Sequence, residues 1–216
     1  MMRSINESYS FLRNSSGIRE CNAEDAREVL PSEMTTTLDQ LPRRLAADRD
    51  TAFPDLVRCL QNGVYSGVLQ FTRNRHDAED VTQETFIRAY RALGSYDEER
   101  IGHLQLRPWV WTIALNLCRN SARSAARRPE APLVGDRIDV FEDAAARAVE
   151  NAGLDEWRER LATLSGPQRT AVVLHHVVGL PHAEIAESTG RSESTTRSDV
   201  RRGLARLRTM IEEETR

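Results

Sequence analysis

Residues 180–208 read LPHAEIAESTGRSESTTRSDVRRGLARLR, and this run decides the fold. Ile185 and Ala186 give a short helix its buried side, and Gly190 follows where a residue without a Cβ permits a tight turn. Ser192 stands where it can cap the next helix, in which Val200, Leu204, Leu207 and Ile211 recur at helical spacing as an inward stripe. Arg191, Ser194, Thr195, Arg197, Ser198, Arg201 and Arg202 are left on or beside the outward face. Arginine on such a face reaches guanine edges and phosphates, and serine can contact either. The pattern predicts a helix-turn-helix that lays a cationic helix on DNA; the alternative is a solvated helical hairpin with a charged face.

Working outward, Ser165-Gly-Pro-Gln168 has the Ser-x-x-Gln form of a capping box and predicts the start of a helix carrying Val172, Val173, Val177 and Val178, which Gly179 ends. Before it, residues 125–152 hold Pro129, Pro132, Gly135 and an acidic run and read as a flexible linker, with a helical turn or two over Phe141 to Val149. Further upstream, Phe53, Leu56, Val57, Leu60, Val64, Val68 and Leu69 form one helical apolar stripe. Asp77 is placed to cap a second helix with Val81, Thr85, Phe86, Ala89 and Leu93 inside, stopped by Gly94. Ser95 to Arg107 reads as a loop, and Pro108 opens a third helix through Trp109, Ile113 and Leu117. Residues 1–50 show little periodicity and read as a mostly disordered extension, with one short helix near Ala23 to Leu30. Nothing alternates convincingly with period two, so the fold class is all-α: two small helical domains, 51–124 and 153–216, joined by the acidic linker.

Charge distribution says more than net charge. The chain of 216 residues carries −3, yet Arg119 to Arg128 holds four arginines and no acid, and Arg191 to Arg208 six arginines against two acids. Every one of the 30 basic residues is arginine, which reflects coding bias more than chemistry. No apolar run approaches the roughly 20 residues that a membrane span needs, and the N-terminal stretch lacks a signal-peptide core, so a cytoplasmic protein without membrane insertion is expected. Cys21, Cys59 and Cys118 are far apart and form no CxxC, and the adjacent His175 and His176 cannot share a metal as i, i+4 histidines do. Neither a metal site nor a cofactor is expected.

The first domain narrows the class. DAEDVTQETFIRAYRAL at 77–93, followed by RPWVWTIALNLCRN at 107–120, resembles the bacterial RNA polymerase sigma factors of the extracytoplasmic-function type, and both halves occur in the family's order on either side of an acidic linker. The resemblance covers about Thr51 to Glu212 and implies that 51–124 is sigma region 2 and 153–216 sigma region 4. It implies core RNA polymerase, through its β′ and β subunits, and promoter DNA as partners, with an anti-sigma factor as regulator. In the family the DAEDxxQETF helix docks on the β′ coiled coil, which nominates Asp80, Gln83, Glu84 and Arg88. The next loop and helix separate the strands and hold the minus-10 element, matching Trp109, Trp111, Asn116, Arg119, Asn120 and Arg123. Trp109 and Trp111 fall on different helical faces, so at least one belongs to the core. Captured bases need aromatic surface and hydrogen bonds while arginine tracks phosphates, and the family places this capture in the loop from Tyr96 to Arg107. The helix-turn-helix would read the minus-35 element through Arg191, Ser194, Thr195, Arg197, Ser198, Arg201 and Arg202. One departure stands out: where the family commonly reads Gly-Thr-Val-Lys-Ser-Arg, this chain has Ser194-Thr-Thr-Arg-Ser-Asp199, an acid in a basic position that puts the minus-35 preference in doubt.

Two other readings compete. A stand-alone helix-turn-helix regulator would bind duplex DNA without polymerase, and a helical metal-dependent hydrolase would use Glu79, Asp80 and Glu84. The hydrolase lacks a matching His or Asp motif, so no catalytic residue is nominated and the chain is not expected to be an enzyme.

Overall fold

A computed structural model describes residues 38–72, 74–127 and 156–214, and every regular element among them is helical. The linker beyond residue 127, the turns expected at 141–149, the helix expected at 23–30 and Cys21 lie outside the described residues.

Helix α1, Leu41–Ala47, lies inside the stretch read from sequence as an extension to residue 50. Two leucines one turn apart explain it, since Leu41 and Leu45 are fully buried and need a helix to reach the same core. Asp48 then starts α2, Arg49–Thr72. Its carboxylate accepts from the backbone N–H groups of Asp50 and Thr51 at 3.1 and 3.2 Å. The Thr51 hydroxyl donates to it as well, at 2.6 Å, and holds the carboxyl below its ordinary range. Helix α3, Arg75–Leu93, begins earlier than Asp77 predicts: the cap is Asn74, whose side chain accepts from the His76 N–H at 2.8 Å, and Asp77 sits in the first turn. All five expected inner positions of α3 are buried.

The expected loop 95–107 contains a helix, α4, Glu98–Gly102. Asp97 caps it by accepting from the Arg100 N–H at 2.8 Å, Glu98 and Glu99 suit the positive helix end, and Ile101 is buried against the α1 leucines. Helix α5, Leu106–Arg127, crosses both α2 and α3 and completes the first domain.

The second domain opens with a helix over 156–162, α6, whose Trp157 and Leu161 are buried. Helix α7, Gly166–Val172, begins at the expected box, with Gln168 Oε1 accepting from the Ser165 N–H at 3.4 Å, and continues into a π-helical turn, Val173–Val177. Gly179 at φ +78° ends that turn. Helix α8, His182–Thr189, and α9, Glu193–Glu214, form the helix-turn-helix, and Gly190 at φ +67° makes the left-handed corner expected of it.

The two domains share a seam. Helix α8 packs on α5, and the π turn on α2. Leu174, Leu180 and Ile185 join Val64, Val68, Val110 and Trp111 in one buried cluster. The approach is close because position 67 is glycine: a Cβ there would stand 2.4 Å from Trp111 Cη2 and 2.8 Å from Val178 Cγ2. Among the described residues, a hydrogen bond from the Thr112 hydroxyl to the Ser188 carbonyl at 3.3 Å and an ion pair between Arg107 Nε and Glu184 Oε2 at 3.7 Å cross the seam.

Candidate nucleic-acid interface

Helix α9 is held by its inner side and free on its outer. Val200 and Leu207 are buried and Leu204 and Ile211 partly so, as the stripe predicts, while a Cβ on Gly203 would meet Val172 Cγ2 at 2.7 Å. That glycine lets α9 cross α7 closely, a contact that period counting does not reveal. At the start of α9, Ser192 Oγ accepts from the Thr195 N–H at 3.1 Å and also touches the Ser194 and Thr195 hydroxyls at 3.0 and 2.7 Å. Arg191, Ser194, Arg197, Arg201 and Arg202 are exposed and Thr195 and Ser198 half-buried, so the seven expected residues lie along one accessible edge. Several are already oriented: Arg197 Nη2 pairs with Glu193 at 2.7 Å, and Arg202 donates twice to the Ser198 hydroxyl, at 3.1 and 2.7 Å.

Asp199 is not on that edge. It is 6% exposed, turned toward the turn before α9, with Oδ2 at 3.1 Å from Arg191 Nη2. The charge that sequence alone would place against DNA therefore faces inward.

In the first domain the structure separates the two tryptophans. Trp111 is 2% exposed and fills the seam against Gly67 and Val178. It is a core residue here, not part of an exposed surface. Trp109 is half-buried, its ring 6.2 Å from that of Tyr96, over which the Arg100 guanidinium lies at 3.6 Å. Asn116, Arg119, Asn120 and Arg123 are exposed on the outer side of α5, with Arg119 donating to the Asn116 side chain at 2.8 Å. Cys118, buried between them and the core, has its thiol pushed up to about 12 by burial and is chemically quiet.

On α3, Asp80, Gln83 and Arg88 are exposed and Glu84 half-buried, with Glu84 Oε1 accepting from Arg88 Nε at 2.6 Å. Beside them runs an apolar groove between α2 and α3, lined by Phe53, Val57, Tyr65, Phe86 and Ile87. Ile87, 37% exposed, is the large hydrophobic residue left open among the described residues. Sequence reading passed over it; an isoleucine outside the apolar stripe of a polar helix face was the available signal.

The three histidines of the second domain cluster around the π turn, with ring centroids 4.7 Å apart for His175 and His176 and 4.3 Å for His175 and His182. Burial, then the neighbouring imidazoles, pushes His176 down to about 4 and lowers His182. His175 Nδ1 lies 2.8 Å from the Leu180 carbonyl oxygen, closing the turn. Among the described residues no group of three or more metal-ligating side chains is arranged to hold an ion. No described helix is long and apolar enough to cross a membrane.

The sequence matches Sigma-70 region 2 over residues 56–128 and Sigma-70 region 4 over residues 154–207. It is similar to the ECF RNA polymerase sigma factor SigE of Mycolicibacterium smegmatis, 32% identical over 73% of this chain and 60% of that protein. It is also similar to the ECF RNA polymerase sigma-E factor of Haemophilus influenzae, 32% identical over 80% of this chain and 92% of that protein. Its fold is that of CnrH, solved in complex with the cytosolic domain of CnrY, with a TM-score of 0.62 at 24% identity over 81% of this chain and 97% of that one. With both regions matched in order, the chain belongs to the extracytoplasmic-function group of the sigma-70 family, the RNA polymerase sigma factors.

Proposed function

We propose that the chain is a dissociable initiation subunit that binds core RNA polymerase, reads two promoter elements and helps hold the strands apart, and that it performs no bond chemistry itself. The single observation that carries this reading is that one chain presents two separate exposed arginine-bearing faces, the outer side of α5 and the outer side of α9, on domains matching the two sigma regions.

Asp80, Gln83, Glu84 and Arg88 form the polar part of the polymerase-docking face, and the groove beside Ile87 supplies its apolar part. A docking face with both offers burial as well as charge selectivity. Asn116, Arg119, Asn120 and Arg123 follow the minus-10 strand, and Tyr96, Arg100 and Trp109 offer an unstacked base a ring surface bordered by a cation. Arg191, Ser194, Thr195, Arg197, Ser198, Arg201 and Arg202 engage the minus-35 duplex. Trp111 acts only by shaping α5. An anti-sigma factor is the regulator that fits this group, since the Bartonella quintana sigma factor RpoE, a solved neighbour with the same fold at a TM-score of 0.56, is held by the anti-sigma factor NepR. The subunit works in the cytoplasm, where core polymerase is found.

Adding the purified chain to core polymerase tests the reading. Promoter-specific transcripts from genomic templates are expected, with the chain co-migrating with core. Active core that yields no specific transcript, together with no co-migration, would sink it.

A further inference from the structure

Asp199 poses a problem that the function above does not solve. A carboxylate on a DNA-reading helix repels phosphate if it faces outward and is costly to desolvate if it faces inward. Here it faces inward at 6% exposure, on the same side of α9 as Thr196 (1%) and Val200 (5%). Its ion-pair partner is Arg191, which enters from the turn, and the contact is oblique: Oδ2 lies 3.1 Å from Nη2 yet accepts no hydrogen bond. The carboxylate is thus held by charge. Arg119 of α5 and Arg169 of α7 line the same cleft without coming within ion-pair distance of it.

Arg191 is fixed from the other end too. Its N–H donates to the Ala186 carbonyl at 3.0 Å, directly after the left-handed Gly190, and the next residue, Ser192, caps α9. Backbone and guanidinium are both anchored, while the side chain keeps 39% of its surface open. An arginine restrained in this way gives up less side-chain freedom when it meets DNA, and its N–H donors stay available.

We propose that Asp199 is a positioning residue for promoter recognition: it holds the Arg191 guanidinium at the entrance of the recognition helix so that this arginine arrives at the minus-35 element already oriented. The inference rests on the reading of Arg191 as a minus-35 contact.

The sign of one substitution separates this role from a bystander's. Asp199→Asn removes a negative charge near DNA, so an acid that merely weakens the local field predicts tighter binding to every duplex. A positioning acid predicts weaker binding to the minus-35 element and unchanged or tighter binding to a scrambled one. Holoenzyme is reassembled on core polymerase and bound, at one fixed salt concentration, to a promoter it initiates from and to the same promoter with the minus-35 element scrambled. The ratio of the two affinities is expected to fall about tenfold in D199N and equally in R191A, with no further fall in R191A/D199N. Asp199→Leu is the second variant, because an apolar residue of similar size tolerates the buried site even if asparagine does not, and it must lower the ratio as well. An unchanged or raised ratio in the folded Asp199 variants overturns the proposal, as does an additive double variant. If R191A leaves the ratio intact while R201A and R202A lower it, the positioning role falls and the sigma reading stands. If no arginine variant matters and no promoter is used, both fall.

Discussion

Helices α5 and α9 are each 22 residues long and each carries arginines along one side, yet the fold treats them oppositely. Helix α5 is packed by α2, α3 and α8, so its middle is surrounded and its accessible polar side chains gather toward the C-terminal half. Helix α9 rests on α7 and α8 and, through Leu207 and Glu214, on α6, and it keeps an open edge along its N-terminal half. The difference teaches that an arginine-bearing helix is a surface only where neighbours leave it one. In α5 the aromatic that matters for stability and the aromatic available to a ligand stand two residues apart.

The largest expected effect tests that division. Trp111→Ala removes a ring at 2% exposure from the seam and should cost roughly 3–5 kcal/mol, measured by denaturant unfolding. Trp109→Ala, at a half-buried site, should cost markedly less stability while lowering the rate of promoter opening, followed by a fluorescent base in the minus-10 element. Equal losses of stability in the two variants would erase the distinction.

Next in size is the closeness of the seam. Gly67→Ala places a Cβ 2.4 Å from the Trp111 ring within the first domain and 2.8 Å from Val178 Cγ2 across the seam, an overpacking that should cost about 1–3 kcal/mol. Parting relieves the Val178 contact and is read as a longer distance between dyes on α3 and α9 with each domain's helicity retained, while the Trp111 clash is read as lost stability of the first domain. A variant that unfolds wholly instead would mean that the first domain alone needs this glycine.

On α9 the expectation reverses. Arg201→Ala and Arg202→Ala should change stability by no more than about 0.5 kcal/mol. Each should weaken minus-35 binding by roughly 1–2 kcal/mol, within the usual span for arginine contacts to DNA. Differential melting and filter binding on the same preparations would show whether surface and scaffold separate this cleanly.

How much of this was legible in the sequence follows the same division. Periodicity placed the cores of α2, α3 and α9 because each has one buried side, and the Ser165 and Gly190 boundaries were readable because capping and left-handed turns select residue types. It missed α1 and α4, short helices held by two leucines and one isoleucine, where too few turns exist for a period to show. Asp97 followed by Glu98 and Glu99 was the overlooked signal for α4. The inward turn of Asp199 and the burial of Trp111 against Val178 were out of reach, because both depend on neighbours 8 and 67 residues away in sequence.

The smallest effect concerns what holds the seam, packing or charge. Glu184 faces Arg107 across it, but burial raises its carboxyl above the ordinary value, outweighing the attraction of Arg107, and Glu187 adds to the rise. A carboxyl raised on folding favours the folded state fully below its unfolded value, and that contribution is lost as pH climbs through the folded one. The ionised Glu184 is therefore a small cost at neutral pH. Glu184→Gln should raise the melting temperature at pH 7 by no more than about 2 °C, and the gain should vanish below about pH 4, where the native residue is protonated as well. A loss of stability at pH 7 that disappears in acid would show the opposite, that the ion pair with Arg107 draws α8 onto α5. Apolar closure around Gly67 would then be a consequence of that pairing, and α5 would owe its covered middle to charge.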